Sequence, residues 1–252
     1  MRITFVSLLL LTLVFTACKE ENDPKAELYF KEGTKMLELN ETESALLKFR
    51  SALDYKTNES LQATIYRNIS IAFQNLEELD SASFYSQKGY EVAPSDSYIF
   101  YINRAEYNLL NNNVFNSIKD LKLAKSLNPK QMEVYHTLCL IYSGEYGDAY
   151  FDPILSEYYA KKSYKIKPSN TSKEQLGSIY FQNEKYKEAV KIFKELYAKD
   201  PTNKKFEFYL GQCLYFAGDE KVGEAHMKTA AERDESCKLM YHEIFEIGQN
   251  LE

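Results

Sequence analysis

Two kinds of apolar patterning divide the chain. From Ile3 to Ala17 apolar residues run on with no polar face, as in VSLLLLTLVF, and the run stops abruptly at Cys18-Lys19-Glu20-Glu21-Asn22-Asp23. Beyond Ala26 the pattern becomes helical and repeats. A small residue returns at Gly33, Ser70, Ala105, Cys139, Gly177 and Gly211, 34 to 38 residues apart. A second small residue follows each of these, at Ala45, Ala82, Ser117, Ser156, Ala189 and Gly223, and four intervals close on Pro94, Pro129, Pro168 and Pro201. Each interval predicts two helices that approach closely where their small residues meet. The second helix ends where proline removes the amide donor it would need to continue.

Residues 170–203, NTSKEQLGSIYFQNEKYKEAVKIFKELYAKDPTN, carry the pattern most densely, with Gly177 and Tyr180 on one helix, Ala189 and Phe193 on the next, and Pro201 closing the unit. This resembles a tetratricopeptide repeat (TPR), a helix–turn–helix unit of about 34 residues. The resemblance implies an all-α, right-handed superhelical solenoid of about six units over residues 26–235. The first unit departs from it by lacking a closing proline and by a polar turn, Glu38 to Thr42. Residues 236–252 place Leu239, Met240, Ile244 and Phe245 at helical spacing, which predicts a capping helix over the open apolar end of the array.

The N-terminal run is too short for a bilayer span, which takes roughly 20 residues. Arg2, a leucine-rich middle and small residues before a cut site mark residues 1–17 as a secretory signal peptide. Phe15-Thr16-Ala17-Cys18 resembles the lipobox of bacterial lipoproteins, although Phe15 replaces the common leucine. That resemblance implies lipid attachment at Cys18 and a polar tether over residues 18–25. Two or more acyl chains hold a soluble body firmly on a membrane. Lys19-Glu20-Glu21 resembles the export tag of Bacteroidota surface lipoproteins, which implies an outer-membrane location with the periplasmic or outward face left open.

Composition narrows the function classes. A formal net charge of −6 leaves no surplus of Lys and Arg for nucleic-acid backbones. With 9 glycines and 6 prolines in 252 residues, tight hairpins are few and a sheet-rich fold is disfavoured. His136, His226 and His242 fall in separate helices without a second ligand at one-turn spacing, and no zinc motif, phosphate loop or nucleophile elbow is present. The expectation is a non-enzyme with no metal and no cofactor. The fourth unit carries an insertion, Ser143 to Pro153, whose Glu145, Asp148 and Asp152 do not reproduce a calcium-loop spacing and read as a solvated loop. Cys139 and Cys213 are expected to be buried thiols, while an exported chain would permit a Cys213–Cys237 bridge.

The repeat resemblance also implies a groove lined by the first helix of each unit. Its inner-face positions map onto Phe30, Thr34 and Leu37; Arg67, Ile71 and Gln74; Ile102, Glu106 and Leu109; His136 and Leu140; Glu174, Ser178 and Phe181; and Phe208, Gln212 and Tyr215. About half of these are expected to be exposed. Aromatics mixed with few charges suit an extended peptide or helix, so the expected partner is a protein or peptide. Phe30, Thr34 and Ile99 stand where the carboxylate-gripping subset of the family begins its cationic set, which disfavours that specificity. Arg104 and Asp120 match a subtype in which the two residues form a structural ion pair between helices. The size and layout are also similar to the pilotins of type IV pili and to barrel-assembly lipoproteins, which makes an envelope-assembly factor the alternative to a plain interaction module. A glycan-capture lipoprotein is a weaker third reading, because its helical relatives are about twice as long.

Overall fold

A computed structural model describes residues 21–247. The N-terminal apolar run, Cys18, Lys19, Glu20 and residues 248–252 lie outside this range. Among the described residues there are α-helices and no strand. One compact unit ends at Pro94 and holds α1 (Pro24–Glu38), α2 (Thr42–Leu53), α3 (Glu59–Asn75) and α4 (Leu79–Val92). A second begins at Ser95 and holds α5 (Tyr98–Leu110), α6 (Val114–Leu127), α7 (Met132–Tyr142), α8 (Pro153–Ile166), α9 (Asn170–Gln182) and α10 (Tyr186–Lys199). It continues through α11 (Lys204–Phe216), α12 (Glu220–Ala231) and α13 (Glu235–His242), which a π-helical turn, Glu243–Ile247, extends. Consecutive helices pack as the pairs α1/α2, α3/α4, α5/α6, α7/α8, α9/α10 and α11/α12, and α13 packs on α12 and α11. No described helix is long and apolar enough to cross a membrane.

Local signals start and turn these pairs. Side chains of Asp23, Asn58, Ser97, Ser169 and Asn203 accept amide hydrogens at the starts of α1, α3, α5, α9 and α11, each cap contributing about 1 kcal/mol. The turn into the second helix is then made by one left-handed residue in five of the pairs: Asn40, Glu77, Asn112, Glu184 or Gly218, at φ between 57° and 99°. Asparagine tolerates that conformation, so the first unit turns at Asn40 without a glycine.

Close contact between paired helices follows from their small residues. Ala45, Ala82, Ala189, Ser70, Ser117, Ser156 and Cys139 are wholly buried. Ser70 donates its hydroxyl hydrogen to the Ala82 carbonyl at 2.8 Å, which satisfies a polar group inside the contact. The tightest approach joins α11 to α12, where a Cβ on Gly223 would lie 2.4 Å from the Tyr215 nitrogen and 2.6 Å from the Gly211 oxygen. At Gly177 an added Cβ would strike Ile192 at 2.7 Å and Phe193 at 2.9 Å. Phe193 fills the space beside that contact at 1% exposure, and its burial stabilises the fold by roughly 2–3 kcal/mol.

The Arg104–Asp120 pair is present and ties α5 to α6. Asp120, 3% exposed, accepts from Arg104 Nε at 2.9 Å, from Nη2 at 2.6 Å and from Asn108 Nδ2 at 3.1 Å. This is a satisfied structural anchor of the charge-assisted, bidentate kind.

The insertion of the fourth unit is ordered by backbone chemistry. Gly144 and Gly147 take φ of 88° and 114°, and a 3-10 turn covers Asp148–Tyr150. The Asp152 amide donates to the Tyr142 carbonyl at 2.9 Å, and the Asp152 carboxylate caps α8 through the amides of Ile154 and Leu155. Glu145 and Asp148 are exposed, and among the described residues no cluster of three or more His, Cys, Asp or Glu is placed to hold a metal. Cys139, Cys213 and Cys237 are free and buried, so the Cys213–Cys237 bridge that export would permit is not formed. Burial pushes the Cys139 and Cys213 thiols up to about 12, and burial followed by the Asp234 charge takes Cys237 to about 11.

Gly223→Ala is expected to destabilise the chain by about 3 kcal/mol, because two backbones must separate to admit the methyl group. Gly218→Ala, which meets no neighbour and suffers only from its φ of 99°, costs about 1 kcal/mol. Denaturant midpoints of the two variants check the ranking.

Candidate ligand-binding groove

The first helices supply the candidate site, and each compact unit is considered separately. In the first unit Phe30, Thr34, Arg67, Ile71 and Gln74 are all half-buried. The Phe30 ring packs at 6.1 Å from Phe49, and Thr34 turns its hydroxyl back to the Phe30 carbonyl at 2.9 Å. These positions form a partly apolar face whose polar groups are largely engaged with their own chain.

The second unit contains a defined cleft of about 420 Å³ between α7 and α9. Four residues mapped from the sequence line it: His136 and Leu140 from α7, and Glu174 and Ser178 from α9. Ser143, Glu145, Thr171, Gln175, Ile179 and Gln182 complete the wall. Within α9 the residues Thr171, Glu174, Gln175, Ser178 and Gln182 follow helical spacing on one face. That polar stripe was readable in the sequence, whereas Ser143 and Glu145 come from the inserted turn and carried no such signal.

Other mapped positions do not reach the cleft. Ile102 is 3% exposed and Phe208 1% exposed, so neither can line a groove in this structure. Ile102 joins the core formed by α5 to α9, and Phe208 lies beneath Met227, Ala230 and Cys237, where α13 covers the last pair. Leu109 is buried for the same reason as Ile102. Phe181 is held edge-on by Tyr186 and Phe216, each at 5.4 Å, and Tyr215 is held by Phe216 and Phe245, each at 5.5 Å. Glu106 and Gln212 remain half-buried on their helices.

Polar contacts bind the two walls of the cleft together. Gln175 Nε2 donates to the His136 carbonyl at 3.3 Å, and Gln182 Nε2 donates to the Ser143 carbonyl at 2.7 Å. Burial lowers the His136 pKa from its ordinary value, an effect the adjacent Gln175 carboxamide partly offsets, so the ring is neutral at pH 7. Burial raises the Glu174 carboxyl, while the Lys205 charge on α11 opposes that shift. Burial and then the Glu174 charge raise the nearby Tyr209 phenol. The arrangement has hydrogen-bonding groups and one half-buried carboxylate, but no nucleophile–base pair.

A larger cleft of about 570 Å³ lies between the insertion, the start of α8 and the α9–α10 turn. Its central Glu157 is ion-paired to Lys161 at 2.5 Å and to Lys185 at 2.6 Å, and these pairs outweigh burial to hold its carboxyl below the ordinary range. Both of its lysines are paired with Glu157, whereas among the described residues neither carboxylate of the α7–α9 cleft has a contact ion pair. Charge chemistry therefore favours the smaller cleft as the ligand site.

The fold defines a class: an all-α array of tetratricopeptide-type helix pairs with a capping helix. Residues 180–242 match a family model described as tetratricopeptide repeat. The structure is similar to that of pilF from Pseudomonas aeruginosa, with a TM-score of 0.60 at 16% identity over 87% of this chain and 96% of that one. It is similar to a thermophilic TPR protein of Thermus thermophilus, with a TM-score of 0.59 at 14% identity over 75% and 98% of the two chains. YrrB, a TPR protein described as having an unusual peptide-binding site, aligns with a TM-score of 0.53 at 15% identity over 77% and 97%. No curated protein matches the chain in sequence.

Because the folded His136 holds its proton less tightly than an unfolded histidine, the unfolded chain binds more protons as pH falls. The stability from the neutral ring is fully present above about pH 6.5 and is lost as pH falls toward the folded value. Melting temperature should therefore drop between about pH 7 and pH 5, and His136→Gln should flatten that part of the profile. An unchanged slope in the variant would contradict the assignment.

Proposed function

We propose that this chain is a lipid-anchored, non-catalytic protein-interaction module that binds a peptide segment in the first-helix groove at the outer membrane. The α7–α9 cleft carries this reading, because it gathers hydrogen-bonding side chains and a half-buried carboxylate on the face that such helix arrays leave open. TPR folds serve as binding scaffolds for protein or peptide partners, and the repeat match and the structural neighbours support that coarse role here. The anchor is supported by Phe15-Thr16-Ala17-Cys18, and outer-membrane placement by Lys19-Glu20-Glu21.

An envelope-assembly factor is the second reading. It is supported by six helix pairs among the described residues, the number that the pilotin resemblance implies. Protease shaving of intact cells separates the readings, since a displayed module is cut and a periplasmic assembly factor is protected.

A photo-crosslinking residue at Ser178, exposed on the groove face, should capture a discrete partner in the native membrane. The same residue at Lys191, exposed on the outer helix α10, should not. Equal capture from both sites would count against the groove. Cys18→Ala is expected to abolish labelling by radioactive palmitate and to release the chain from the membrane fraction, and full labelling of the variant would remove the anchor.

A further inference from the structure

Two second helices of the second compact unit, α6 and α8, carry the same outward stripe in the same register. On α6 it consists of Phe115, Lys119, Lys122, Leu123 and Leu127, all exposed and within one helical face. On α8 the matching positions are Ile154, Tyr158, Lys161, Lys162 and Lys165, of which only Lys162 is half-buried. The opposite faces of both helices fill the core with Ile118, Leu121, Ala124, Tyr159 and Ala160. The outward apolar side chains therefore serve no packing purpose, yet Phe115 is 59% exposed and Ile154 80% exposed. Lys125 on α6 donates to the Tyr159 hydroxyl on α8 at 3.5 Å, which places the two helices side by side. The next second helix, α10, ends the pattern: it presents Lys187, Glu188, Lys191, Lys194 and Glu195 with no exposed large apolar side chain.

Charge gives a second and independent signal. The chain has a formal net charge of −6, but α6 and α8 together hold six lysines, two acids and no arginine. Both acids are paired, Asp120 with Arg104 and Glu157 with Lys161 and Lys185. Lys119 and Lys162 lie over the rings of Phe115 and Tyr158, at 4.3 and 5.5 Å. The face is thus cationic and apolar at once, and its complement must be anionic and apolar. Protein interfaces are depleted in lysine and enriched in arginine, so a charge set made of lysine alone points away from a protein partner. A lipid surface answers both needs, because headgroup phosphates receive the ammonium groups while the acyl boundary receives rings and aliphatic stems.

We propose that the outer face of α6 and α8 lies on the surface of an anionic phospholipid membrane. Phe115, Ile154 and Tyr158 enter the acyl boundary, and Lys119, Lys122, Lys162 and Lys165 engage headgroup phosphates. The inference rests on the membrane-anchor reading above and adds which face of the second unit meets the lipid. The α7–α9 cleft belongs to first helices, so it stays open to its own partner.

The chain contains no tryptophan, so one introduced indole reports on one position. Full chains with Phe115→Trp, Tyr158→Trp or, as a control on α10, Lys191→Trp are mixed with vesicles of phosphatidylglycerol and phosphatidylethanolamine carrying brominated acyl chains. Emission from Phe115→Trp and Tyr158→Trp should fall by about half, as for rings buried roughly 5–10 Å into the headgroup and acyl boundary. Emission from Lys191→Trp should be unchanged. Replacing phosphatidylglycerol by phosphatidylcholine, or adding Lys119→Glu, Lys122→Glu, Lys162→Glu and Lys165→Glu together, should bring Phe115→Trp to the control level. An unchanged melting temperature in the charge-reversed chain shows that the fold is intact. Equal quenching at all three positions would overturn the proposed face. No quenching from a chain that still floats with the vesicles would overturn the face and leave the anchor standing. Quenching and flotation that persist in full in Cys18→Ala would support the face and remove the anchor, and loss of both from the unaltered Cys18 chain would overturn the two readings together. Reporters that ignore vesicles but shift to shorter wavelength with a glutamate-rich amphipathic peptide would replace the lipid by an acidic protein partner.

Discussion

Backbone contact between paired helices is the constraint on which the structure depends. At Gly211 and Gly223 the chains of α11 and α12 approach so closely that a single added methyl group would overlap peptide atoms. Elsewhere Ala45, Ala82, Ser117, Ser156 and Ala189 hold the same place, each wholly buried. Such proximity lets one helix cover most of the apolar face of its partner. The large rings that complete the seal, Phe49 and Phe193, lie directly against the glycines of the facing helices, Gly33 and Gly177. The serines find their acceptors differently: Ser70 donates to the Ala82 carbonyl across the interface, and Ser156 to the Pro153 carbonyl of its own helix.

That division of labour leaves part of α7 and of α9 free of packing duties, and the cleft is built there. On α9, Leu176 and Ile179 turn to the core while Glu174 and Ser178 turn to the cleft. The helical period separates structural from recognition positions within one 13-residue segment. Ile179 serves both sets, since it is core-packed yet touches the cleft wall.

Much of this was legible because the repeat is written in residue size. The spacing of small residues located the helix pairs, and the subtype pattern around Arg104 and Asp120 located a bidentate pair 16 residues apart. The left-handed turn was less visible, because Glu77 and Glu184 occupy a conformation that composition alone would reserve for glycine or asparagine. The groove was legible only in part. Position within a repeat says which way a side chain leaves its helix, but not what lies beyond it. Phe208 leaves α11 on the expected side and is then covered by α13, which no repeat pattern encodes. The inserted turn of the fourth unit likewise contributes Glu145 and Ser143 to the cleft through a local conformation set by Gly144 and Gly147.

The energetics of the two sets of residues differ in kind. Asp120 is buried with three hydrogen bonds, two of them from the bidentate Arg104 guanidinium, so its desolvation is offset within the chain. Glu174 is half-buried with no contact cation, and burial raises its carboxyl. Folding alone gains nothing from burying the Glu174 carboxylate. A carboxylate already stripped of part of its water meets a hydrogen-bond donor with less desolvation left to overcome. Both walls are already fixed by the Gln175 and Gln182 bonds to the α7 segment, so the cleft does not have to be assembled around its ligand. The carboxylate that costs this part of the fold stability thus stands on walls that Gln175 and Gln182 have already set in place.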